Sequence, residues 1–420
     1  MGDEFLLAFC VKYDIMLSEK VCLHRKRDHM KKIKFFLRNL AKMVIQNGIL
    51  PVAYGIAKVR YRGEKDLYVF ADAHHTSLPF SLEAMYNHVV SLGIEPVCHF
   101  HDYTHEGSVK SLLHAISFMN ILARAKYVFI CDTFMPVSSG TKAEGTRIVQ
   151  LCHFSGPFKK IGYATNDDVP SYYKGNVFKN YDLVPVSAEL YVPLLTDAMR
   201  QEPGAVQALG VSRSDVYYDE AWVSACKEEF YRQFPDAKEK KVLLWAPTFR
   251  GKAASPDTLD NESMSRLQEK LGDDWLVLIK HHPHDDATAT NPRYRSNCAI
   301  PSERLLPVVD LLITDYSTVV LDYLIYGQPF ILYAPDLEEY EATRGFFVDY
   351  RSLTKNLTRD AEHLDAMVKT VYQQWLEGDR EDILRCRKQL AAACDGKATE
   401  RILAYLQEMD RVPARETANV

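Results

Sequence analysis

The chain reads as an α/β protein built on largely parallel sheets, and three features say so. Apolar runs of strand length alternate with segments of helical periodicity in both halves of the sequence. The stretch from Asp310 to Tyr333 spells out one complete unit: an apolar strand, the turn Thr314-Asp315-Tyr316-Ser317-Thr318, a helix apolar on nearly every side, and a second strand. A chain of 420 residues, 47% hydrophobic and 25% charged, is long enough for two such units with sizeable cores.

The first half supplies its elements in a regular order. Leu67 to Phe70 predicts a short strand, Leu82 to Leu92 a helix ended by Gly93, and Pro96 to Phe100 a further strand. Val109 to Arg124 predicts a helix and Ala125 to Ile130 a strand, followed by strands at Val149 to His153 and Tyr181 to Ser187. The polar, turn-rich residues Gln201 to Gly204 read as a linker.

In the second half, Val242 to Trp245, Trp275 to Ile279 and Asp310 to Ile313 are apolar strands, each followed by a polar loop and helical sequence. The loops are Pro247-Thr248-Phe249-Arg250, His281-His282-Pro283-His284, and Thr314 to Thr318. Ligands of open parallel sheets bind beyond the carboxyl ends of the strands, so the three loops are expected to converge. They offer a guanidinium, imidazoles and hydroxyls, a set suited to a diphosphate. Ser317 stands where a helix N-cap belongs and Gly327 where a C-terminal cap belongs, and Pro329 opens the strand Phe330 to Tyr333. The free N–H groups and positive dipole end at that turn favour phosphate. Asp360 to Met409 reads as helices on one α/β domain, with a frayed tail after Arg411.

Composition excludes some classes of function. A net charge of −5 argues against a general nucleic-acid binder. The nine cysteines are scattered, without a CxxC pair, which fits a reducing, cytosolic setting. Met1-Gly2-Asp3-Glu4 carries acids where a signal peptide carries basic residues. The longest apolar runs are interrupted short of the ~20 residues that span a bilayer, so membrane contact is expected to be peripheral. One segment invites it: Arg25 to Lys42 holds eight basic residues and one acid, with Ile33, Phe36, Leu37 and Leu40 at helical spacing. The plainer alternative is an apolar stripe packed on the protein's own core. Cys98, His99, His101 and His105 crowd together, as do His281, His282, His284, Asp285 and Asp286, yet neither group has the paired spacing of a zinc site. No metal is expected. The sequence contains no P-loop, nucleophile elbow or GxGxxG.

Five loops, in order, resemble one known family. Ile313-Thr314-Asp315-Tyr316-Ser317-Thr318 through Arg344-Gly345-Phe346-Phe347-Val348-Asp349-Tyr350 is similar to the signature of the CDP-glycerol:poly(glycerol phosphate) glycerophosphotransferases of teichoic acid and capsule synthesis. Trp245-Ala246-Pro247-Thr248-Phe249-Arg250-Gly251 resembles that family's APTFR loop, and Lys280-His281-His282-Pro283 its lysine-x-histidine-proline. Gln150 to Gly162 resembles its histidine loop, and Gly210-Val211-Ser212-Arg213-Ser214-Asp215 its GVPRTD. The chain departs from the pattern at Cys152, where many members carry Trp, at Ser212, where proline is usual, and at Arg351 to Lys355, in place of a proline- and glycine-rich segment. These departures bear on which alditol is used.

The resemblance implies a GT-B-like architecture, two Rossmann-type domains facing across a cleft. It divides the chain into an N-terminal basic segment (1–60), an acceptor domain (61–204), a CDP-alditol-binding domain (205–410) and a tail (411–420). It implies transfer of glycerol phosphate, or less favourably ribitol phosphate, from a CDP-alditol to the hydroxyl end of a lipid-linked anionic polymer, with release of CMP. No tightly bound cofactor is expected, and the setting is cytoplasmic, at the inner face of the cell membrane.

A neutral hydroxyl must lose its proton as it attacks phosphorus, and histidine suits that task. His153 is the expected base, against the plainer reading of a structural strand-end histidine. His282 is the second catalytic candidate, as a donor to the diphosphate or leaving phosphate. Arg250, Thr248, Lys280, Ser317 and Thr318 are expected around the phosphates. Asp315 would hold a ribose or alditol hydroxyl or orient His282, and Arg344 would reach the phosphates or form a surface ion pair. Lys159 and Lys160 would draw in the polymer or simply be solvated. Two alternatives stay open: a nucleotide-sugar glycosyltransferase on the same fold, and a non-catalytic polymer-binding scaffold.

Overall fold

The computed structural model describes residues 33–411 apart from 34, 64, 104–106, 167, 249, 253–254, 258–260 and 281–298, and leaves out the side chains of 250–262 and 265. Two parallel sheets carry the chain. The first has the order β2-β1-β3-β4, with β1 Leu67–Asp72, β2 Val97–Phe100, β3 Ala125–Ile130 and β4 Arg147–Gln150. A parallel pair, β5 Val184–Pro185 and β6 Val206–Gln207, adjoins it through a bridge from Val149 to Leu183. The second sheet has the order β10-β7-β11-β12-β13 and comprises β7 Lys241–Ala246, β10 Trp275–Ile279, β11 Leu311–Thr314, β12 Phe330–Tyr333 and β13 Leu357–Thr358. Between β7 and β10 lies a small antiparallel hairpin of β8 Arg250–Lys252 and β9 Ser255–Asp257.

Why these residues make parallel sheets is visible in their burial. Every residue of β10, β11 and β12 is buried, as expected of strands covered on both faces. The turn after β11 leads to the helix Val319–Tyr323 and a 3-10 turn, closed by Gly327 at φ 63°, a backbone shape that favours glycine. In β2, Cys98 is exposed and His99 is 7% exposed, so the alternation of a strand does point the two to opposite faces. Among the described residues no group of three His, Cys, Asp or Glu is placed to hold a metal ion. His105 and the second crowded group, His281 to Asp286, fall outside the described residues.

Four sequence expectations change. The strand expected over Val149 to His153 stops at Gln150, because Cys152 takes φ 57° and breaks the extended backbone. Of the strand expected over Tyr181 to Ser187, only Val184–Pro185 forms. Gln201 to Gly204 is the turn between the helix Tyr191–Met199 and β6, which pairs back onto β5. The last helix, Ala398–Arg411, leaves the second sheet and packs Ile402, Leu403 and Leu406 against Phe70, Tyr127 and Phe129 of the first. Asp215 accepts the N–H groups of Ala398 and Thr399 at 3.0 and 2.7 Å, and Asp410 accepts from the Tyr127 hydroxyl at 2.5 Å, so both ends of this helix are pinned.

At the other end of the chain, Phe35–Arg60 is one helix of 26 residues, long and apolar enough by length and composition to cross a membrane. Apolar continuity therefore extends further than the expectation of short, interrupted runs. A π-helical stretch at Ile45–Ile49 precedes Pro51, whose missing N–H makes the regular ladder impossible there. Leu50, Tyr54 and Ala57 pack on the protein, while Val52, Ile56 and Val59 are 65%, 67% and 81% exposed. Gln46 donates to the Ser138 hydroxyl at 3.0 Å and to the Asn176 carbonyl at 3.1 Å, and Asn47 donates to the Lys174 carbonyl at 3.1 Å. The Arg25–Lys32 part of the expected basic helix, and Lys34, lie outside the described residues.

Candidate active site

A cavity of about 1060 Å³ takes side chains from beyond the carboxyl ends of strands in both sheets. His74 follows β1, Asp132 follows β3 and His153 follows β4, while Thr248 follows β7, Lys280 follows β10 and Ser317 follows β11. The general rule for parallel sheets is thus obeyed twice around one space.

His153 sits on the first wall. The left-handed turn at Cys152 is held by that residue's N–H, which donates to the Gln150 side-chain oxygen at 3.0 Å. Such a conformation costs a non-glycine residue about 1 kcal/mol or more, and here it redirects the chain at the cavity. Gly156 follows because nothing larger fits: a Cβ there would lie 2.4 Å from the Tyr191 ring. The His153 Nδ1 is 3.2 Å from Asp132 Oδ2, and the His153 side chain remains 56% accessible, so it lines the cavity and not the core. With Nδ1 carrying the shared proton, Nε2 is the basic nitrogen of the neutral ring.

The electrostatics follow from that pair. Burial disfavours charge on both partners, but the attraction between them and their hydrogen bond outweigh it. His153 is raised above the ordinary histidine value, and Asp132 is held well below the usual carboxylate range. A second carboxylate, Asp72 at the end of β1, accepts the N–H groups of His74 and His75 at 2.7 and 2.9 Å and the His75 Nδ1 at 2.7 Å. That hydrogen bond raises His75, and Asp72 stays below its usual range although burial opposes it.

The second wall is built from hydrogen bonds that each involve a main-chain group. Thr314 donates to the Ala246 carbonyl at 2.6 Å, the Thr248 N–H donates to Asp315 Oδ1 at 2.7 Å, and the Tyr350 hydroxyl donates to the Asp315 carbonyl at 2.7 Å. These bonds lock the loop after β7 to the turn after β11. Asp315 is fully buried and is not among the residues that line the cavity; its Oδ1 holds the loop after β7, and its expected partner His282 lies outside the described residues. Ser317 does not occupy the N-cap position; Thr318 does, without a side-chain cap bond, and Ser317 Oγ lies 3.4 Å from the Val319 nitrogen. Ser317 and Thr318 both face the cavity.

Arg344 also lines the cavity, but its guanidinium is engaged across the molecule. It donates to both oxygens of Asp168 at 2.9 and 3.1 Å and to the Lys160 carbonyl at 3.0 Å. Beside it, Phe347 donates to the Phe158 carbonyl at 2.7 Å and Lys160 to the Gly345 carbonyl at 3.1 Å, forming a strap between the two halves. Arg344 is therefore an ion-paired strap residue as placed. Lys159 lines the cavity as well. His282 and the Arg250 side chain lie outside what the structure describes.

Three residues at the site escaped sequence reasoning. Asp132 follows β3 as His153 follows β4, so the strand-end rule applied to the first half would have found it. Asp322 is a lone carboxylate in the apolar run Val319 to Ile325, and a buried charge demands a partner. That partner is Arg213, 2.9 Å away, in the Gly210 to Asp215 motif.

Comparison with known proteins places the site in context. The family described as CDP-Glycerol:Poly(glycerophosphate) glycerophosphotransferase matches residues 58–408. A teichoic acid ribitol-phosphate primase of Bacillus spizizenii is 28% identical over 89% of this chain and 98% of its own length. A teichoic acid poly(ribitol-phosphate) polymerase of the same organism is 31% identical over 70% of this chain, and the match spans 48% of that longer relative. A teichoic acid glycerol-phosphate primase from that organism is 24% identical over 71% of this chain. The solved wall teichoic acid polymerase TagF covers 91% of this chain and 99% of its own at a TM-score of 0.64 and 17% identity, which shows a shared fold.

Proposed function

Because the chain belongs to the CDP-glycerol:poly(glycerophosphate) glycerophosphotransferase family, we propose that it moves an alditol phosphate from a CDP-alditol to the hydroxyl end of a lipid-linked teichoic acid polymer, releasing CMP. It is an enzyme of that phosphotransferase class. The observation that carries the reading is the cavity itself, with a carboxylate-held imidazole on one wall and hydroxyls and a lysine on the other. The two sheets are read as two Rossmann-type units facing across a GT-B-type cleft, the first for the acceptor and the second for the donor.

In this reading Thr248, Lys280, Ser317 and Thr318 hold the diphosphate, and Arg250 and His282 complete the donor side. His153 Nε2 takes the acceptor proton as the acceptor oxygen bonds to the β-phosphorus. The bridging P–O bond breaks on the far side, and its electron pair leaves with CMP. Lys280 offsets the growing charge on the leaving phosphate. Asp132 keeps the ring in the correct tautomer and stabilises the imidazolium that forms.

Ribitol is favoured over glycerol, the reverse of the order set by the sequence motifs alone, since the primase named for ribitol phosphate matches more of this chain at higher identity than the one named for glycerol phosphate. The test supplies purified protein with CDP-ribitol or CDP-glycerol and a lipid-linked acceptor and follows CMP. Release with ribitol first is expected; no release with either donor overturns the reading. His153→Ala is expected to lower turnover about 10²- to 10⁴-fold.

The helix Phe35–Arg60 supports peripheral association with the inner face of the membrane. Its polar ties at Gln46 and Asn47 hold it along the protein body, while Val52, Ile56 and Val59 face outward beside Arg60 and Arg62. An interfacial helix lies on anionic lipid in that manner. Vesicle co-sedimentation is expected to fall in a Val52→Asp/Ile56→Asp variant; unchanged binding removes this helix from the contact.

A further inference from the structure

We propose that the buried Arg213–Asp322 pair is a positioning device for phosphoryl transfer, tying the main chain of His153 to the helix that follows the Ser317–Thr318 turn. The inference rests on the reading of His153 as the base. It goes beyond that reading by assigning a task to two residues outside the catalytic contacts.

The geometry is that of a three-way clasp. Arg213 lies on the 3-10 helix Ser212–Tyr218, its side chain 13% accessible. One terminal nitrogen donates to the carbonyl of His153, and the other donates to Asp322 Oδ2 at 2.9 Å. Asp322 sits in the helix Val319–Tyr323, its side chain 4% accessible, and its second oxygen accepts from the Ser155 hydroxyl. One carboxylate on the donor side thus holds residue 155 directly and residue 153 through the guanidinium. Phe80, at the start of the helix Phe80–Ser91, packs its ring 5.1 Å from the Arg213 guanidinium carbon and fixes the third side.

Packing alone does not explain this choice of residues. A buried ion pair is seldom more stabilising than an apolar pair of the same volume, because both charges must be desolvated. Apolar side chains, however, offer no donor for the His153 carbonyl and no acceptor for Ser155. The pair supplies direction: it sets how far the base stands from the turn that bears Ser317 and Thr318. Displacing a reacting group by about 1 Å costs on the order of 10²-fold in rate. Burial and the charge of Arg213, held at the His153 carbonyl, lower the His153 pKa, while Asp132 and a hydrogen bond to the Cys131 main chain raise it.

The test compares Arg213→Lys, Arg213→Gln, Asp322→Asn and the double neutral variant R213Q/D322N, the last of which leaves no lone buried charge. CMP release gives kcat and the KM for the CDP-alditol, and NMR of histidine-labelled full-length protein gives the His153 titration. Each folded variant is expected to lose about 10- to 100-fold in kcat with KM changed less than about threefold, and the double variant to lose no more than the worse single one. Arg213→Gln is expected to move the His153 titration to higher pH. A kcat within about twofold of wild type, a loss confined to KM, or an unmoved titration overturns the inference. Should wild-type protein release no CMP, the activity reading fails by itself, and the titration shift still decides whether Arg213 acts on His153.

Discussion

The two walls of the cavity are made in different ways. The turn after β11 is held through main-chain groups: Thr314, Asp315 and Tyr350 each make a hydrogen bond in which one partner is a backbone N–H or carbonyl. The loop after β4 is set by charged side chains, Asp132 on the ring, Arg213 on the carbonyl and Asp322 on Ser155. A wall that only binds a diphosphate needs donors in a fixed array. A wall that moves a proton also needs a fixed tautomer and a tuned pKa, which ionised partners supply.

The largest expected effect breaks the charged wall outright. Asp322→Ala strands the Arg213 guanidinium in the interior and frees Ser155, and is expected to cost about 3–5 kcal/mol in chemical denaturation. A loss below about 1 kcal/mol would make this pair no different from a surface contact. A smaller effect, specific to the proton, comes from Asp132→Asn. The carboxylate raises His153, so its removal lowers that pKa, and the neutral base survives to lower pH. The acid limb of the rate profile should move down, with turnover reduced by about tenfold or more. A limb that stays in place would detach Asp132 from the base.

The smallest effect belongs to the other wall. Ser317 makes a 3.4 Å contact with the Val319 nitrogen, so Ser317→Ala should leave stability nearly unchanged. It should raise the donor KM by about two- to tenfold, the worth of one hydrogen bond. A stability loss without a KM effect would restore Ser317 to a purely structural role.

This contrast also explains what the sequence revealed. Trp275–Ile279, Phe330–Tyr333 and the cap at Gly327 were legible because buried parallel strands and a left-handed cap have local signatures. The hydroxyls of the second wall could be read directly because Ser317 and Thr318 stand together in one turn. Asp315 stayed ambiguous, because nothing in a turn sequence tells a carboxylate that faces a ligand from one that accepts a backbone N–H. The first wall depends on charged pairs, such as His153 with Asp132 and Arg213 with Asp322, and on the backbone reversal at Cys152. Periodicity carries no trace of such pairings. The last helix was misassigned for the same reason: its apolar stripe fixes that it packs, but not on which sheet.

The most direct test of the account is the pH dependence of CMP release, measured from about pH 5 to 9 for the wild type and His153→Ala with the same CDP-alditol and acceptor. A base raised by Asp132 is protonated and idle at low pH, so the wild-type rate should fall on the acid side through an apparent pKa above the ordinary histidine value. In His153→Ala the rate should be low and that limb absent. The same limb persisting in His153→Ala would contradict the assignment and place the base elsewhere in the cavity.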